Sequence, residues 1–337
     1  MRKMKKIEPL VSVIMSTKDT EISMLKDSID SILNQSYDNF EFIIVCDGSQ
    51  NDYNFVNKIK DKRIRIIKHG TSIGLTKSLN EALKVCEGEY IARMDSDDYS
   101  LKDRFQTQVD FLNDNQNIDI CGTFAKQFGD KNDFIIDLFN NIEDKRAELF
   151  IYNRVIHPSV MIRKSFLENN NIIYDEKFKY SQDYELWSRI CTIANIYIIP
   201  KVCLKYRIHA AQISTAKVKE QNALCKEIYL NDLKRLSDKF STEDTKYLFY
   251  LSKKSEEDIS KKEIKQFIKK VLKENNESKI YNNRSLKKVL YYRYFVSNIK
   301  RINLLEVIYC TFYSNLIWLY IKKKIAIKKC KNNLKNE

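Results

Sequence analysis

The chain has 337 residues, of which 43% are hydrophobic and 31% charged. That composition supports one large or two ordinary folded domains and excludes wholesale disorder. The net charge of +14 is unevenly spread: residues 1–216 carry 30 basic and 31 acidic side chains, residues 217–337 carry 29 and 14. A near-neutral body and a tail of net +15 therefore need separate explanations. All six glycines lie at or before Gly129, and the three prolines are Pro9, Pro158 and Pro200. A tail without either breaker, rich in Lys, Glu, Leu and Ile, is expected to be helical. Eight cysteines without a Cys-x-x-Cys pair, and only three histidines, argue against a zinc site. Several cysteines sit in apolar runs and read as buried thiols, which makes a reducing cytosol the simpler expectation. The basic start, Met1 to Lys6, leads directly into a strand-like run, so no cleavable signal peptide is expected.

In chain order, Leu10–Met15 reads as a buried strand and 25–33 as a helix with Ile29 and Ile32 on one face. Phe40–Val45 is a second strand, ending at Cys46-Asp-Gly-Ser49. A short helix is expected over 53–60 and a third strand over 64–67. Gly74 opens a helix through Val85, with Leu75, Leu79 and Leu83 at intervals of four. Tyr90–Met94 is a fourth strand that runs into Asp95-Ser-Asp-Asp98. A helix over 101–113, strands near 118–124 and 160–162, a helix over 182–193 and a strand over 202–208 follow. From 217 onward the period is helical. Alternating strands and helices predict an α/β fold with a mostly parallel sheet covered on both faces. Ligands of such sheets sit at the carboxyl ends of the strands. The polar clusters at 16–19, 46–49 and 95–98 all fall there.

Three carboxylates in four residues, Asp95, Asp97 and Asp98, repel one another unless a cation joins them. Hard oxygen donors suit Mg²⁺ or Mn²⁺, which also bind substrate phosphates. Taken alone, the same residues also read as an acidic turn with a helix cap. Asp47 offers a carboxylate to a base N–H or a ribose hydroxyl, or is an ordinary turn residue. No Gly-x-Gly-x-x-Gly follows the first strand, and there is no Gly-Lys-Ser/Thr phosphate loop. These absences weigh against a nicotinamide dehydrogenase and a P-loop NTPase.

The ordered series Val11–Ser16, Ile29–Gln35, Phe42–Ser49, Gly74-Leu75, Gly88–Asp98, His157–Arg163, Gln182–Trp187 and Tyr206–His209 resembles the inverting glycosyltransferases of family 2 over about residues 10–215. The resemblance implies a GT-A fold, a Rossmann-like mixed sheet flanked by helices, with a nucleotide-sugar donor and a divalent metal. It implies a catalytic domain over 1–216 and a basic helical region over 217–337. By position, Asp47 matches the carboxylate that recognises the base, and Ser16 lines the same pocket. Asp95 matches the first carboxylate of the Asp-x-Asp motif near ribose and metal, and Asp97 its metal ligand. Asp98 extends the motif to the form seen in bacterial enzymes that build surface polysaccharides. Asp183 matches the catalytic base, with Glu185 the competing carboxylate. Arg207 and His209 fall near the diphosphate and the metal. Gln182 and Cys46 depart from the family's usual residues.

These matches imply a single displacement. A carboxylate, Asp183, takes the proton of an acceptor hydroxyl as that oxygen attacks the anomeric carbon of a UDP-sugar. The metal offsets the charge on the leaving diphosphate. His157 before Pro158 reads as structural or acceptor-side, and Trp187 as helix core. The alternatives are a nucleotide-sugar-binding or scaffold protein with degenerate catalysis, and a sugar-phosphate nucleotidyltransferase. The latter needs a glycine-rich basic loop that Ser16-Thr-Lys-Asp19 does not supply.

In the tail, fifteen of the twenty residues 302–321 are apolar, flanked by Lys300-Arg301 and Lys322-Lys-Lys324. That length could span a bilayer, but Asn303, Glu306, Thr311, Ser314 and Asn315 fall on one side of the helix. The pattern favours a helix lying in the interface on the inner face of the cell membrane. It also fits a lipid-linked glycan acceptor. A contact with the catalytic domain, or with a second copy in a homodimer, is the alternative. Nucleic acid ranks below, because no recognition motif accompanies the charge.

Overall fold

The computed structural model describes residues 8–139, 141–210, 212, 217–252 and 258–333. The basic start at residues 1–6 lies outside them. The elements run β1 (Val11–Thr17), α1 (Ile22–Leu33), β2 (Phe40–Asp47), α2 (Gln50–Val56), β3 (Ile64–His69), α3 (Leu75–Lys84), β4 (Tyr90–Arg93) and β5 (Tyr99–Ser100). Then come α4 (Arg104–Asp114), β6 (Ile120–Gly129), β7 (Phe134–Ile135), α5 (Ile142–Leu149), β8 (Met161–Arg163), α6 (Lys164–Asn169), α7 (Gln182–Ile190) and β9 (Ile196–Ile208). The helices α8 (Val218–Leu236), α9 (Thr245–Leu251), α10 (Lys261–Ser278), α11 (Asn283–Asn298), α12 (Leu304–Ser314) and α13 (Leu316–Asn333) complete the chain.

Two compact units emerge. The first contains Met1–Ile135, Val155–Gln182 and Ile198–His209; the second contains Ile136–Arg154, Asp183–Tyr197 and Ala210–Glu337. This division is interleaved, whereas the sequence suggested a linear boundary at 216/217. The segments at 136–154 and 183–197 cluster with the C-terminal helices because their apolar faces pack there: Tyr184 meets Tyr229 and Tyr229 meets Phe249, at 5.9 and 5.1 Å between ring centroids.

The first unit is built on one mixed sheet of order β3-β2-β1-β4-β8-β6-β9-β5, with β7 paired to β6. β3, β2, β1 and β4 are mutually parallel. Every residue of β1 is buried, as is every residue of β4 and all but Glu41 of β2. Continuous apolar runs of this kind mark parallel strands covered on both faces. β8 pairs antiparallel with β4 and β6, as do β7 with β6 and β5 with β9, so the mostly parallel sheet that the alternation suggested is corrected to half parallel, half antiparallel. Three boundaries also move. α2 begins at Gln50, because Ser49 caps it by accepting the Asp52 N–H at 3.4 Å. α4 begins at Arg104, because Tyr99 and Ser100 pair with Lys205 and Leu204 of β9. β9 runs for thirteen residues through Pro200, which is exposed, rather than starting at Val202.

The second unit is helical. Its core includes Leu233, Leu248, Ile264, Ile268, Val271, Leu286 and Leu290, all with no exposed surface. α5 carries a buried Lys145 between Asp137 and Glu148, with its Nζ 2.5 Å from Asp137. Burial would lower the Lys145 pKa, but those two carboxylates outweigh it and raise the value.

Gly88 sits where β4 is fed into the sheet, and its N–H donates to Ser12 Oγ at 2.8 Å. A Cβ there would lie 2.6 Å from both the Leu10 carbonyl oxygen and the Ser12 nitrogen. Both are backbone atoms inside the sheet and cannot swing aside. Gly88→Ala is therefore expected to destabilise the chain by roughly 1–3 kcal/mol. Urea unfolding would measure it, and an unchanged midpoint would show that the strand ends have room to move.

Candidate active site

The ends of β1, β2 and β4 lie side by side because the three strands are parallel neighbours, with Thr17 opposite Cys46 and Ile14 opposite Arg93. Short polar contacts join the turns that follow. Thr17 Oγ1 donates to Asp52 Oδ2 at 2.5 Å and bonds Thr20 Oγ1 at 3.0 Å. Thr20 Oγ1 meets Ser96 Oγ at 2.8 Å, and Ser28 Oγ donates to the Asp95 carbonyl at 2.7 Å. Ser16 is nine-tenths buried at the end of β1.

Asp95, Asp97 and Asp98 come together after β4, with ligand oxygens all within 4.8 Å of one another. Asp98 is fully buried; Oδ1 accepts the Arg207 N–H at 2.8 Å, and Oδ2 has no hydrogen-bond partner among the described residues. Burial pushes the Asp98 carboxyl well up, and the charges of Asp95 and Asp97 push it further; the Arg207 N–H and Arg93 act the other way. An orphaned buried carboxylate oxygen in a cluster of hard donors fits a divalent cation. His209 Nε2 lies 2.9 Å from Asp97 Oδ2, which puts an imidazole beside the same carboxylate. Asp95 and Asp97 are partly exposed, so the cluster opens to solvent on their side.

Arg207 binds this loop rather than standing apart from it. Its Nε donates to the Asp97 carbonyl at 2.6 Å and its Nη2 to Asp27 Oδ2 at 3.1 Å. The guanidinium lies 4.4 Å from the centre of the Phe128 ring. A second arginine carried no role in the sequence reading. Arg93, the last residue of β4, is 1% exposed and ion-paired with Asp95. Its carbonyl accepts from Nη2 of the fully buried Arg104 at 2.8 Å. Burial and the Arg93 charge also push His157 well below the usual histidine range, so that ring is neutral, 2.8 Å from the Tyr174 hydroxyl. The signal for Arg93 was available: a charged residue inside an otherwise apolar strand needs a buried partner.

Asp47 ends β2 in the turn made by Gly48, whose φ of +79° and approach to Ser72 exclude a side chain there. The Asp47 carboxylate accepts from Ser72 Oγ at 2.7 Å, Ile73 N–H at 2.7 Å and Gly74 N–H at 2.9 Å; His69 Nδ1 lies 3.3 Å away. Burial alone would raise its pKa, but these donors, led by the Ile73 N–H, outweigh it and lower it. Four contacts occupy the lone pairs a carboxylate offers. His69, Ser72 and Glu81 were not foreseen; they become neighbours only through the β2–β3 register.

In the second unit, Asp183 lies in the first turn of α7 and is half-buried. Its Oδ2 accepts from Asn153 Nδ2 at 2.9 Å. Glu185 is 8% exposed and takes two bonds from Arg189, at 2.7 and 3.0 Å. Trp187 is fully buried in that unit's core. Cys46 has no exposed surface, and burial pushes its thiol up to about 12, so its departure from the family pattern concerns the sheet core.

A parallel half-sheet with an acidic cluster after its central strand, closed by an antiparallel half, defines the GT-A class of transferase. Residues 12–186 match Glycosyl transferase family 2, and the chain belongs to that family of glycosyltransferases. It is 36% identical over 225 residues to an uncharacterised glycosyltransferase of Methanocaldococcus jannaschii, covering 64% of this chain and 76% of that one. It is 30% identical over 221 residues to the Escherichia coli UDP-Glc:alpha-D-GlcNAc-diphosphoundecaprenol beta-1,3-glucosyltransferase WfaP, covering 63% and 82%. The crystal structure of Staphylococcus aureus TarS 1–349 with UDP-GlcNAc shares the fold at a TM-score of 0.59 and 18% identity, over 86% of this chain and 88% of that one.

The Asp47–His69–Glu81 chain predicts a pH effect on stability. His69 Nε2 lies 2.7 Å from Glu81, and although burial lowers the His69 pKa, the Glu81 and Asp47 contacts raise it above 6.5. Its contribution is present in full below the unfolded value of about 6.5 and is lost as pH rises through the higher folded value. The wild-type urea midpoint is thus expected to fall between roughly pH 6 and pH 8 by more than that of His69→Gln. Parallel profiles for the two proteins would remove His69 from this coupling.

Proposed function

We propose that the chain transfers a sugar from a UDP-sugar to a hydroxyl of a lipid-diphosphate-linked glycan acceptor, with inversion at the anomeric carbon, in the building of a surface polysaccharide such as a capsule, O-antigen or exopolysaccharide. The observation that carries the reading is the cluster of Asp95, Asp97 and Asp98 after β4, to which Arg207 and His209 close from β9. The substrate named for the WfaP relative, a UDP-glucose donor with a diphosphoundecaprenol-linked acceptor, supports the two substrate classes. A lipid-carried acceptor implies work at a membrane surface, here proposed as the inner face of the cell membrane.

In this reading Asp95 and Asp97, with His209 beside them, hold Mn²⁺ or Mg²⁺. The cation, when bound, supplies Lewis-acid stabilisation of the negative charge on the departing diphosphate. Arg207 holds the Asp97 backbone through its Nε and fixes the loop that presents these carboxylates. Ser16 and Asp47 line the nucleoside end. To meet a base N–H, Asp47 would exchange one of its present donors for it, and Ser72 Oγ, a rotatable side-chain hydroxyl, is the easiest to release.

Asp183 takes the acceptor hydroxyl's proton. Two observations favour it over Glu185: it is half-buried rather than sealed, and the Asn153 amide orients its carboxylate. Glu185 is already paired to Arg189, which occupies both of its carboxylate oxygens. A hydroxyl is a poor nucleophile near neutral pH, so a positioned carboxylate contributes roughly 10²–10⁴ in rate.

Asp183→Asn is expected to lower transfer by roughly 10²–10⁴-fold. Asp97→Ala should lower it by at least about 10²-fold through lost charge stabilisation. Both variants should retain the wild-type circular dichroism spectrum, and neither should unfold at a lower urea midpoint. The assay is a nucleotide-sugar screen with Mn²⁺ against a synthetic lipid-diphosphate sugar, with NMR of the product's anomeric centre. Full activity in either variant removes that residue from the reaction. UDP binding without turnover of any donor would favour the degenerate, scaffold reading instead.

A further inference from the structure

The second unit leaves an apolar face that its own packing does not cover. Of the fifteen large hydrophobic side chains exposed among the described residues, nine lie between Leu304 and Ile325. On α12, Leu304, Leu305, Ile308 and Phe312 are 74, 76, 58 and 78% exposed and recur at helical spacing along one face. The opposite face is fixed to the protein. Cys310 and Ser314 are fully buried, and Tyr309 and Tyr313 pack on Tyr291 of α11 at 5.2 and 4.9 Å between centroids. On α13, Leu316, Leu319 and Cys330 are buried, while Trp318, Ile321 and Ile325 point outward. Lys322 Nζ donates to the Leu138 carbonyl at 2.7 Å, which holds α13 down on the unit. The face is therefore a fixed surface, not a loose end.

Charge says what covers it. Residues 299–333 hold eight Lys and Arg and a single acid, Glu306. That acid is consumed internally: Lys261 and Lys265 reach it at 2.8 and 2.6 Å, and it also accepts from the Tyr294 hydroxyl at 3.0 Å. Lys323, Lys324, Lys328 and Lys329 are exposed, next to the apolar stripe. A second copy would set this positive field against itself. An anionic surface with an apolar interior matches both features at once. Geometry limits how such a surface is met. Among the described residues no single helix is long and apolar enough to cross a membrane. Leu304–Ser314 and Trp318–Asn332 have the length and composition only together, and they are bent by 73°. Asn315 makes the bend in the left-handed conformation, with φ +52°.

We infer that α12 and α13 form a docking surface for an anionic lipid bilayer, with Leu304, Leu305, Ile308, Phe312 and Trp318 entering one leaflet and the lysines resting on its headgroups, so that the chain lies on the membrane without crossing it. This deepens the proposed use of a lipid-carried acceptor but needs no part of the proposed chemistry.

The test uses the full chain with vesicles of phosphatidylcholine alone or mixed with phosphatidylglycerol. It is expected to sediment with the mixed vesicles only, less so at high salt, and Trp318 emission should shift to the blue, a shift absent in Trp318→Phe. Leu305→Ser combined with Phe312→Ser should abolish sedimentation, and Lys323→Glu with Lys324→Glu should weaken it roughly tenfold or more. These are surface positions, so circular dichroism should stay wild-type. Equal sedimentation with both vesicle types, or unchanged sedimentation of the variants, overturns the inference. So does a dimer in solution that the Leu305/Phe312 variant dissociates, without vesicle binding by the parent. Vesicle binding by a chain that transfers no sugar would uphold the surface and count against the reaction; transfer without vesicle binding would do the reverse.

Discussion

The crowding of three carboxylates after β4 is the constraint around which the first unit is arranged. Like charges about 4 Å apart cost on the order of 4 kcal/mol per pair at the effective dielectric of a protein surface. The fold offsets that cost with what lies behind the loop. Arg93, sealed in the sheet, pairs with Asp95, and the Arg207 backbone N–H meets Asp98. Arg93 in turn is placed because β4 is a central strand, and its carbonyl is held by the buried Arg104. The protein thus keeps a local excess of negative charge in place by opposing it from the core side, while Asp95 and Asp97 stay partly exposed.

Much of the fold was legible in the sequence where a single physical rule governed. The strands β1, β2 and β4 are continuous apolar runs because both their faces are covered, and α3 shows its leucines at four-residue intervals. The antiparallel half was not legible. Two-residue strands such as β5 and β7 carry no period, and Pro200 reads as a stop although, exposed, it leaves β9 uninterrupted. α5 was invisible for another reason. Its buried face holds Lys145 and Glu148, which pattern reasoning assigns to solvent and which stay inside only because they pair with each other and with Asp137.

The candidate site divides the same way. Asp95, Asp97 and Asp98 announce themselves as three acids in four residues, and the structure gathers them with Arg207 and His209, which follow more than a hundred residues later. Asp47 was legible as a strand-end carboxylate, but its partners Ser72, Ile73 and Gly74 are not, since only the β2–β3 crossover delivers them. The choice between Asp183 and Glu185 could not be made from spacing on one helix turn. Nor does spacing show that Glu185 meets Arg189 or that Asp183 meets Asn153 of a distant loop.

All eight cysteines are free and buried. Burial pushes the thiols of Cys46, Cys86 and Cys121 up to about 12, far from the thiolate form. Sulfur-directed reagents attack the thiolate, so the native chain presents them with almost no target. Each sulfur becomes reactive only when its own neighbourhood opens, with four in the sheet-bearing unit and four in the helical one. The chain consequently carries an intrinsic set of breathing sensors: rates of alkylation, read cysteine by cysteine, would chart where the native ensemble loosens first, with no label added and no residue replaced.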